Sequence, residues 1–312
     1  MKISSRKRAR VLISGTLAYD VLGRTSDRLD PGVRNVKLDG VHQDFGGCAM
    51  NVAYTLTGLG LEPIALAYVG EDFAPTYADH LKAAGVRTDA LILVPGQTCA
   101  RGITLTDPRG VQFTAFFPGP TGSDRVVQDL ERLCRQENFD AVVLAPDLPN
   151  KVAAAAPAVA HLPLRVWCPG QYAQHFTAEQ IVPLLQWADL VILNRFEWRS
   201  LYQTLRRGRV AHGEPWLHAS SPAVIVTRGA SAVVFWSPGQ GRTCVPVKQV
   251  PTSAQQDPTG CGDALTAGVI AGLLTGLTPA QAIEHGIGAA LLCLAEQGTQ
   301  RHRAPTAEAF LP

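Results

Sequence analysis

A short segment near the C-terminal end combines residue types that can bind an anion and accept a proton. Residues 257–264 read Asp-Pro-Thr-Gly-Cys-Gly-Asp-Ala, and an apolar helical pattern continues to Leu277. Glycines let the backbone turn tightly and bring its N–H groups close to a ligand. A helix that begins there adds unpaired N–H groups and the positive end of its dipole. The pattern predicts an anion site suited to phosphate, formed by the amides of Gly260, Cys261 and Gly262.

Asp263 places a carboxylate in the first turn of this predicted helix, beside the anion site. A carboxylate repels a phosphate that is simply held there. The combination is explained if Asp263 takes a proton from a hydroxyl group while the amides hold the charge of a transferring phosphoryl group. Aspartate is also a favoured helix-capping residue, and a capping role without chemistry is the alternative.

The octapeptide resembles the C-terminal signature of the ribokinase (PfkB) family of carbohydrate and nucleoside kinases, Asp-Thr-x-Gly-Ala-Gly-Asp-Ala. Pro258 and Cys261 are variants of the kind found in its bacterial adenosine-kinase-like branch. Other segments are similar to family motifs, in the family's order and over nearly the whole chain. They are the first-strand motif ending in Asp20, the pair Gly46-Gly47 followed by Asn51, the Asn194-x-x-Glu197 element and the Thr227-x-Gly229 segment.

The resemblance implies that Asp20, Gly46, Gly47 and Asn51 bind the substrate. The family aspartate accepts hydrogen bonds from two sugar hydroxyls, and the two oxygens of a carboxylate match a vicinal diol. The glycine pair acts as a lid hinge and substrate contact, and the asparagine contacts a substrate hydroxyl. The ordinary alternatives are a turn residue, a loop and a local backbone contact. The ordered set of motifs favours the functional interpretation.

The resemblance assigns Asn194, Thr227 and Gly229 to ATP, and assigns Glu197 to Mg²⁺ through water. Mg²⁺ usually keeps several waters, so it needs few direct protein ligands. Asn194 and Glu197 also have the spacing of a helix capping box, and both roles can hold at once. The Gly-Lys pair of a P-loop is absent from the sequence, which excludes that class of kinase.

The resemblance further implies a site for a monovalent cation, K⁺, beside the anion site, with ligands from Asp257 and Thr259. ATP and Mg²⁺ are the other expected cofactors.

The sequence leaves open which class of molecule accepts the phosphoryl group. The motifs favour a nucleoside, adenosine or a related ribonucleoside. Leu265-Thr266 stands where the adenosine-kinase-like branch commonly has Phe-Arg, and Phe117 stands where it often has histidine. A sugar kinase of the ribokinase or fructokinase type is therefore the main alternative. A regulator that binds nucleotide without catalysis is a third.

Composition excludes several other classes. Hydrophobic residues make up 46% of the 312 residues and charged residues 17%, which predicts a large packed core. The net charge of +2 does not indicate nucleic acid as a main partner. No apolar run reaches the roughly 20 residues that cross a bilayer. The seven cysteines show no Cys-x-x-Cys spacing, which predicts reduced thiols in the cytoplasm. The sequence does not fix the oligomeric state, and a homodimer is one candidate.

Strand-like apolar runs alternate with helix-length segments along most of the chain. Runs such as Val11–Ser14 and Leu190–Leu193 are continuous rather than alternating, which is typical of strands buried on both faces. The alternation predicts an α/β fold with a doubly wound, mostly parallel sheet flanked by helices. Ligands of such sheets gather at the carboxyl ends of the strands. Asp20, Asn194 and Thr227 are expected there, just after their strands.

Two stretches interrupt this pattern. Residues 20–45 carry few helical signals, and Ala100–Phe117 alternates apolar and polar residues around a turn at 107–110, which predicts a β-hairpin. The family resemblance implies that these strands form a small sheet that covers the substrate. We therefore predict one domain over 1–312, with a discontinuous β lid from about 16–45 and 97–120.

Overall fold

The computed structural model describes residues 8–120, 124–208, 221–239, 241–248 and 258–302. The strands are β1 (Arg10–Ser14), β2 (Ala18–Arg24), β3 (Gly40–Gly46), β4 (Glu62–Val69), β5 (Leu91–Leu93), β6 (Ala100–Thr106), β7 (Gln112–Phe117), β8 (Ala141–Leu144), β9 (Arg165–Trp167), β10 (Leu190–Asn194), β11 (Ala223–Thr227), β12 (Ala232–Ser237) and β13 (Gly241–Pro246). The α-helices are α1 (Cys48–Gly58), α2 (Thr76–Ala83), α3 (Val126–Gln136), α4 (Pro149–Ala158), α5 (Ala178–Trp187), α6 (Arg195–Arg207), α7 (Cys261–Leu274) and α8 (Pro279–Leu294).

Within the described ranges the large sheet has nine strands, in the order β13-β12-β11-β10-β9-β8-β1-β4-β5. The pairs from β5 to β11 are parallel, and β12 and β13 add two antiparallel strands at one edge. The chain winds from β1 toward β5 and later from β8 toward β13. The order therefore reverses between β1 and β8, where such sheets bind ligands. This topology confirms the predicted doubly wound sheet.

The central strands form because their side chains are buried on both faces. Val11, Leu12 and Ile13 of β1 are all fully buried. Val11 and Ile13 pack in one apolar core with residues of α1, α7 and α8, and Leu12 packs in a second core with residues of α3, α4, α5 and α6. Continuous Val/Leu/Ile runs are therefore required, as the sequence pattern indicated.

The second sheet has four strands among the described residues, in the order β3-β2-β6-β7. Antiparallel pairing of β6 and β7 confirms the predicted hairpin, whose turn is closed by the Gly110 amide donating to the Asp107 carbonyl at 2.9 Å. Its strands fall largely within the predicted lid segments. That this sheet works as a lid of a single domain stays a prediction.

Asp20 does not lie at the end of a strand of the large sheet, and this part of the sequence-based placement is wrong. The chain leaves β1 at Ser14, crosses over, and begins a new strand at Ala18. Asp20 is the third residue of that strand, so it belongs to the small sheet. Asn194 and Thr227 are the last residues of β10 and β11, as expected.

None of the seven cysteines, all of which lie in described residues, forms a disulfide. Over the same parts of the chain, no helix has the length and apolar character needed to cross a membrane.

Helices α7 and α8 pack closely because glycines face each other across their contact. A Cβ on Gly268 would lie 2.7 Å from the Cα of Gly286 and 3.0 Å from the carbonyl oxygen of His285. A Cβ on Gly286 would lie 2.7 Å from the carbonyl oxygen of Leu265. The blocking atoms are backbone atoms that cannot rotate away. Because α7 begins at the predicted anion site, this contact fixes the position of that site.

We expect Gly268→Ala to destabilise the protein. Alanine gains about 0.5–1 kcal/mol of helix preference over glycine, but overpacking a rigid contact costs about 1–3 kcal/mol. Urea unfolding should therefore show a net loss of up to about 2.5 kcal/mol. The control is Gly40→Ala, where a Cβ meets nothing within 4 Å and should change stability by less than about 0.5 kcal/mol. Equal stability of the two variants would show that the glycine contact does not constrain the helices.

Candidate active site

The start of α7 has the geometry of an anion site. Gly260 precedes the helix with φ +80°, a left-handed conformation that favours glycine. The first helical hydrogen bond joins the Ala264 amide to the Gly260 carbonyl at 2.9 Å, so the preceding amides stand outside the helical ladder. A Cβ on Gly262 would meet nothing within 4 Å, which leaves open space beside its backbone. The Cys261 amide turns back to the Pro258 carbonyl at 3.3 Å, so Gly262 and Asp263 present the more available N–H groups.

The Asp263 carboxylate, in the first turn of α7, is held from α1. Asn51 Nδ2 donates to Asp263 Oδ2 at 2.8 Å, and the Cys48 thiol donates a further hydrogen bond to the carboxylate. Asp263 keeps some exposed surface toward the cavities that it lines, but protein atoms enclose the carboxyl group. This burial raises its pKa to about 7, against the lowering effect of the Asn51 and Cys48 hydrogen bonds. The negative charge of Glu197 raises the pKa further.

Helix α1 reaches this position because Gly47 precedes it with φ +89°. A Cβ there would lie 2.5 Å from the Ala18 amide nitrogen and 2.5 Å from the Thr16 carbonyl oxygen. Only glycine therefore lets α1 begin directly against the connection between β1 and β2. This contact brings Asn51 beneath α7.

The Asp20 carboxylate occupies a space that two glycines leave open. A Cβ on Gly46 would overlap the carboxylate, and one on Gly102 would lie 3.0 Å from Asp20 Oδ1. Glycine at these positions of β3 and β6 lets the carboxylate lie flat on the small sheet. Asp20 and Gly46, which belong to two different predicted motifs, are thus in direct contact.

Between the small sheet and α7 lies a cavity of about 630 Å³, here called the large cavity. Predicted site residues that line it are Asp20, Gly47, Asn51, Thr259, Gly260 and Asp263. Aromatic rings also line it. Phe116 of β7 meets Tyr172 edge to face, with ring centroids 6.3 Å apart and planes at 87°.

Two further cavities lie beyond Asp263. The narrow cavity, about 130 Å³, is lined by Asn194, Glu197, Thr227, Gly262 and Asp263. The apolar cavity, about 310 Å³, is lined by Thr227, Gly229, Val233, Leu265, Leu291 and others. Asp263 borders both the large and the narrow cavity, and Gly262 borders both the narrow and the apolar cavity. The start of α7 therefore stands where the three spaces meet.

Asn194 and Glu197 form a capping box at the start of α6. The Asn194 side chain accepts hydrogen bonds from the amides of Phe196 and Glu197, while Glu197 accepts bonds from the Asn194 amide and from Asn194 Nδ2. Burial raises the pKa of Glu197. The capping alternative is thus confirmed, and a metal role for Glu197 stays a prediction beside it.

The structure brings nearly all the predicted site residues to these three cavities. Asp257 lies outside the described residues. Sequence reasoning missed the short 3₁₀-helix Gly170–His175, which follows β9 and lines the large cavity with Gln171, Gln174 and His175. Its place after a strand of the parallel sheet was a usable signal. The segment 296–300 after α8 resembles a family segment that closes the nucleotide and monovalent-cation region, but its contacts with Asn51 through Thr299 and Gln300 were not predicted.

A family model described as pfkB family carbohydrate kinase matches residues 8–307, almost the whole chain. The chain belongs to the pfkB family of carbohydrate kinases. This kinase is therefore a phosphotransferase with an alcohol group as acceptor, as the motifs predicted.

Relatives of this kinase cover nearly its full length. A curated nucleoside kinase of Methanothermobacter thermautotrophicus is 25% identical over 303 residues, which are 96% of this chain and 94% of the relative. The solved Burkholderia thailandensis nucleoside kinase in complex with inosine has a TM-score of 0.83 at 24% identity, with 96% of each chain covered. The Methanocaldococcus jannaschii nucleoside kinase, a ribokinase-family member, has a TM-score of 0.81 at 20% identity, with 97% of each chain covered. The kinase has the ribokinase-like fold.

The raised pKa of Asp263 predicts the pH dependence of the kinase. A base works only when ionised, so kcat/KM should rise as pH increases through about 7 and be about tenfold lower at pH 6 than at pH 8. Asp263→Asn retains the shape but loses the proton acceptor, and the rate should fall by about 10²–10⁴-fold. A flat profile between pH 6 and 8, or a near wild-type rate in the variant, would contradict the assignment of Asp263 as the base.

Proposed function

We propose that this kinase transfers the γ-phosphoryl group of ATP to the primary hydroxyl of a ribonucleoside, with adenosine as the first candidate. The observation that carries the proposal is the position of Asp263 at the start of α7. Its carboxylate borders the large cavity, which would hold the acceptor, and the narrow cavity, which leads toward the apolar one. A hydroxyl in the first space and a phosphoryl group in the second would meet at the base.

The large cavity supports a nucleoside better than a free sugar. Asp20 on its small-sheet wall offers two acceptor oxygens to the 2′- and 3′-hydroxyls of a ribose. The rings of Phe116 and Tyr172 offer apolar faces for a base, since aromatic side chains favour stacked and edge-to-face contacts. A free sugar has no aromatic ring that could pack against Phe116. The named relatives are nucleoside kinases, one of them solved with inosine, which supports the same choice.

The exposed side chains of the 3₁₀-helix Gly170–His175 would meet the edge of the base. Gln171 and Gln174 carry side-chain amides, each with both a donor and an acceptor, and His175 adds a ring nitrogen. A purine edge likewise presents donors and acceptors. These residues would choose among bases, while Asp20 would require the ribose.

The nucleotide would lie on the other side of α7. The apolar cavity between β11 and α8, lined by Val233, Leu265 and Leu291, suits a flat adenine ring. Thr227 and Gly229 border it, as the ATP assignment requires. The γ-phosphate would reach the amides at the start of α7, where the helix dipole favours negative charge. Enclosure of Asp263 would exclude water and so limit hydrolysis of ATP.

Mg²⁺ and K⁺ are part of the proposal. No group of three or more His, Cys, Asp or Glu side chains in the described residues is arranged to hold a metal. This fits an ion that keeps most of its waters and is bound mainly by the nucleotide phosphates. Glu197, on the narrow cavity, would hold such a hydrated Mg²⁺, whose charge offsets that of the phosphates. Thr259 would contribute to the monovalent-cation site together with Asp257.

The location and assembly state are also proposed. Seven cysteines that form no disulfide suit the reducing cytoplasm. A homodimer is the assembly to test first by sedimentation.

The acceptor proposal predicts a preference for ribonucleosides. With ATP as donor, a ribonucleoside should react far better than its 2′- or 3′-deoxy analogue. Buried groups that lose a hydroxyl partner cost up to roughly 10⁴-fold in kcat/KM. Asp20→Ala should remove this preference. The control Asp39→Ala changes an exposed aspartate near the same strands and should leave the ratio unchanged.

Free ribose and fructose belong in the same assay. Turnover of a free sugar without turnover of any nucleoside would contradict the acceptor proposal and move the protein to the sugar kinases. The role of Asp263 would be unaffected by that result.

A further inference from the structure

A continuous chain of hydrogen bonds runs from the small sheet to Asp263. The Tyr77 hydroxyl donates to the Gly46 carbonyl at 2.6 Å. Gln300 Nε2 donates to the Tyr77 oxygen at 2.7 Å and to Asn51 Oδ1 at 2.9 Å. Asn51 Nδ2 then donates to Asp263 at 2.8 Å. The side chains of Tyr77, Gln300 and Asn51 are all buried.

The chemistry at the far end fixes the direction of every bond in this chain. A backbone carbonyl can only accept, so Tyr77 must donate its single proton to Gly46. Burial raises the pKa of Tyr77 well above its usual value, so this proton stays in place. The Tyr77 oxygen then needs a donor, which must be the amino end of Gln300. The same amino group meets Asn51 Oδ1, and this leaves Asn51 Nδ2 to face Asp263.

Two further contacts hold the arrangement. His80 Nε2 lies 3.2 Å from Gln300 Oε1, and because this oxygen only accepts, the ring nitrogen carries the proton. The His80 ring stacks on Phe45, with centroids 4.0 Å apart and planes at 16°. The Thr299 hydroxyl lies 2.7 Å from the Phe45 carbonyl oxygen and 2.8 Å from Asn51 Oδ1. The Thr299 hydroxyl has one proton and can donate to only one of these two oxygens at a time. Gln300 is therefore the donor that Asn51 Oδ1 has in either case.

We propose that Gln300 is a positioning residue that sets the orientation of the Asn51 amide and, through it, presents a hydrogen-bond donor to Asp263. The proposal rests on the function proposed above, in which Asp263 is the base. It also gives Asn51 a second role. Its Oδ1 atom is occupied by Gln300 and one Nδ2 hydrogen by Asp263, so only one hydrogen remains for a substrate.

The orientation of Asn51 matters because the environment of Asp263 is otherwise unfavourable for a carboxylate. The groups that face it are Asn51 and the Cys48 thiol on α1, Glu197 on α6 and the Cys168 thiol after β9. Glu197 repels the negative charge. A turned Asn51 would set an oxygen against Asp263, and the carboxyl group would then hold its proton to donate to that oxygen. The base would be lost at neutral pH.

Gln300→Glu tests the chain by reversing its direction. The carboxylate of this variant would face three donors, the Tyr77 hydroxyl, the Asn51 amino group and His80 Nε2, which favour its ionised form against the cost of burial. An ionised carboxylate only accepts, so the Tyr77 hydroxyl and the Asn51 amino group would both turn toward it. The acid limb of the kcat/KM profile should move up by about one pH unit. Activity should then be about tenfold below wild type at pH 6 and converge with it near pH 9. A residue that serves only the fold would lower activity equally at every pH.

Two controls separate orientation from charge. Gln297→Glu adds the same charge to the same segment at an exposed position, and it should leave the acid limb in place. The second control repeats Gln300→Glu in an Asn51→Leu background, where no amide remains to turn. A double-mutant cycle should show that most of the shift disappears there. If the Gln300→Glu protein does not fold, Gln300→Met removes the donor without charge and should shift the limb in the same direction by a smaller amount.

An unmoved acid limb in the Gln300 variants would overturn the proposal, as would an equal shift with and without Asn51. These failures are distinct from failure of the proposed function. If Asp263→Asn abolishes turnover while the Gln300 variants keep the wild-type profile, only the positioning role is wrong. If Asp263→Asn turns over normally, the assignment of the base is wrong and the positioning role falls with it.

Discussion

The enclosed carboxylate of Asp263 is the constraint that the other parts of the site satisfy. A carboxylate removed from water is costly unless hydrogen bonds compensate it, and each bond to a charged group contributes about 1.5–3 kcal/mol. Here the donors are Asn51 and Cys48 from α1, and the start of α7 adds its dipole. These interactions do not fully offset the cost of burying the carboxylate, since the pKa of Asp263 remains near 7. A base poised at that value is suited to proton transfer at neutral pH.

The fold brings the residues of this site together through close contacts between helices and strands. The order of the large sheet reverses between β1 and β8, and α1 and α7 pack in the same core on one face of the sheet. Glycines permit each close approach: Gly47 sets α1 against the β1–β2 connection, and Gly268 sets α7 against α8. The segment after α8 completes the site, because Gln300 donates hydrogen bonds to Asn51 and Tyr77. Distant parts of the chain thus meet at one carboxylate.

Much of the site and of the fold was predictable because the signals lie in short stretches of the sequence. Gly260 and Asp263 stand in one octapeptide, and the buried strands appear as continuous apolar runs. The placement of Asp20 was wrong because a new strand begins only four residues after β1, too close for periodicity to separate them. The bonds of Gln300 were not predictable, since they join residues 249 and 223 positions apart. Contacts of that kind depend on how helices pack, which no local pattern records.

In the proposed reaction Asp263 Oδ1 receives the proton of the substrate hydroxyl while the Asn51 amide donates to Oδ2. This arrangement would be visible in a crystal structure with a ribonucleoside, Mg²⁺ and an unreactive ATP analogue. We expect the 5′-hydroxyl oxygen within roughly 2.6–3.2 Å of Asp263 Oδ1, with the Asn51 amide still donating to Oδ2. A hydroxyl bound away from Asp263, or an Asn51 amide turned from Asp263 to the substrate, would contradict it.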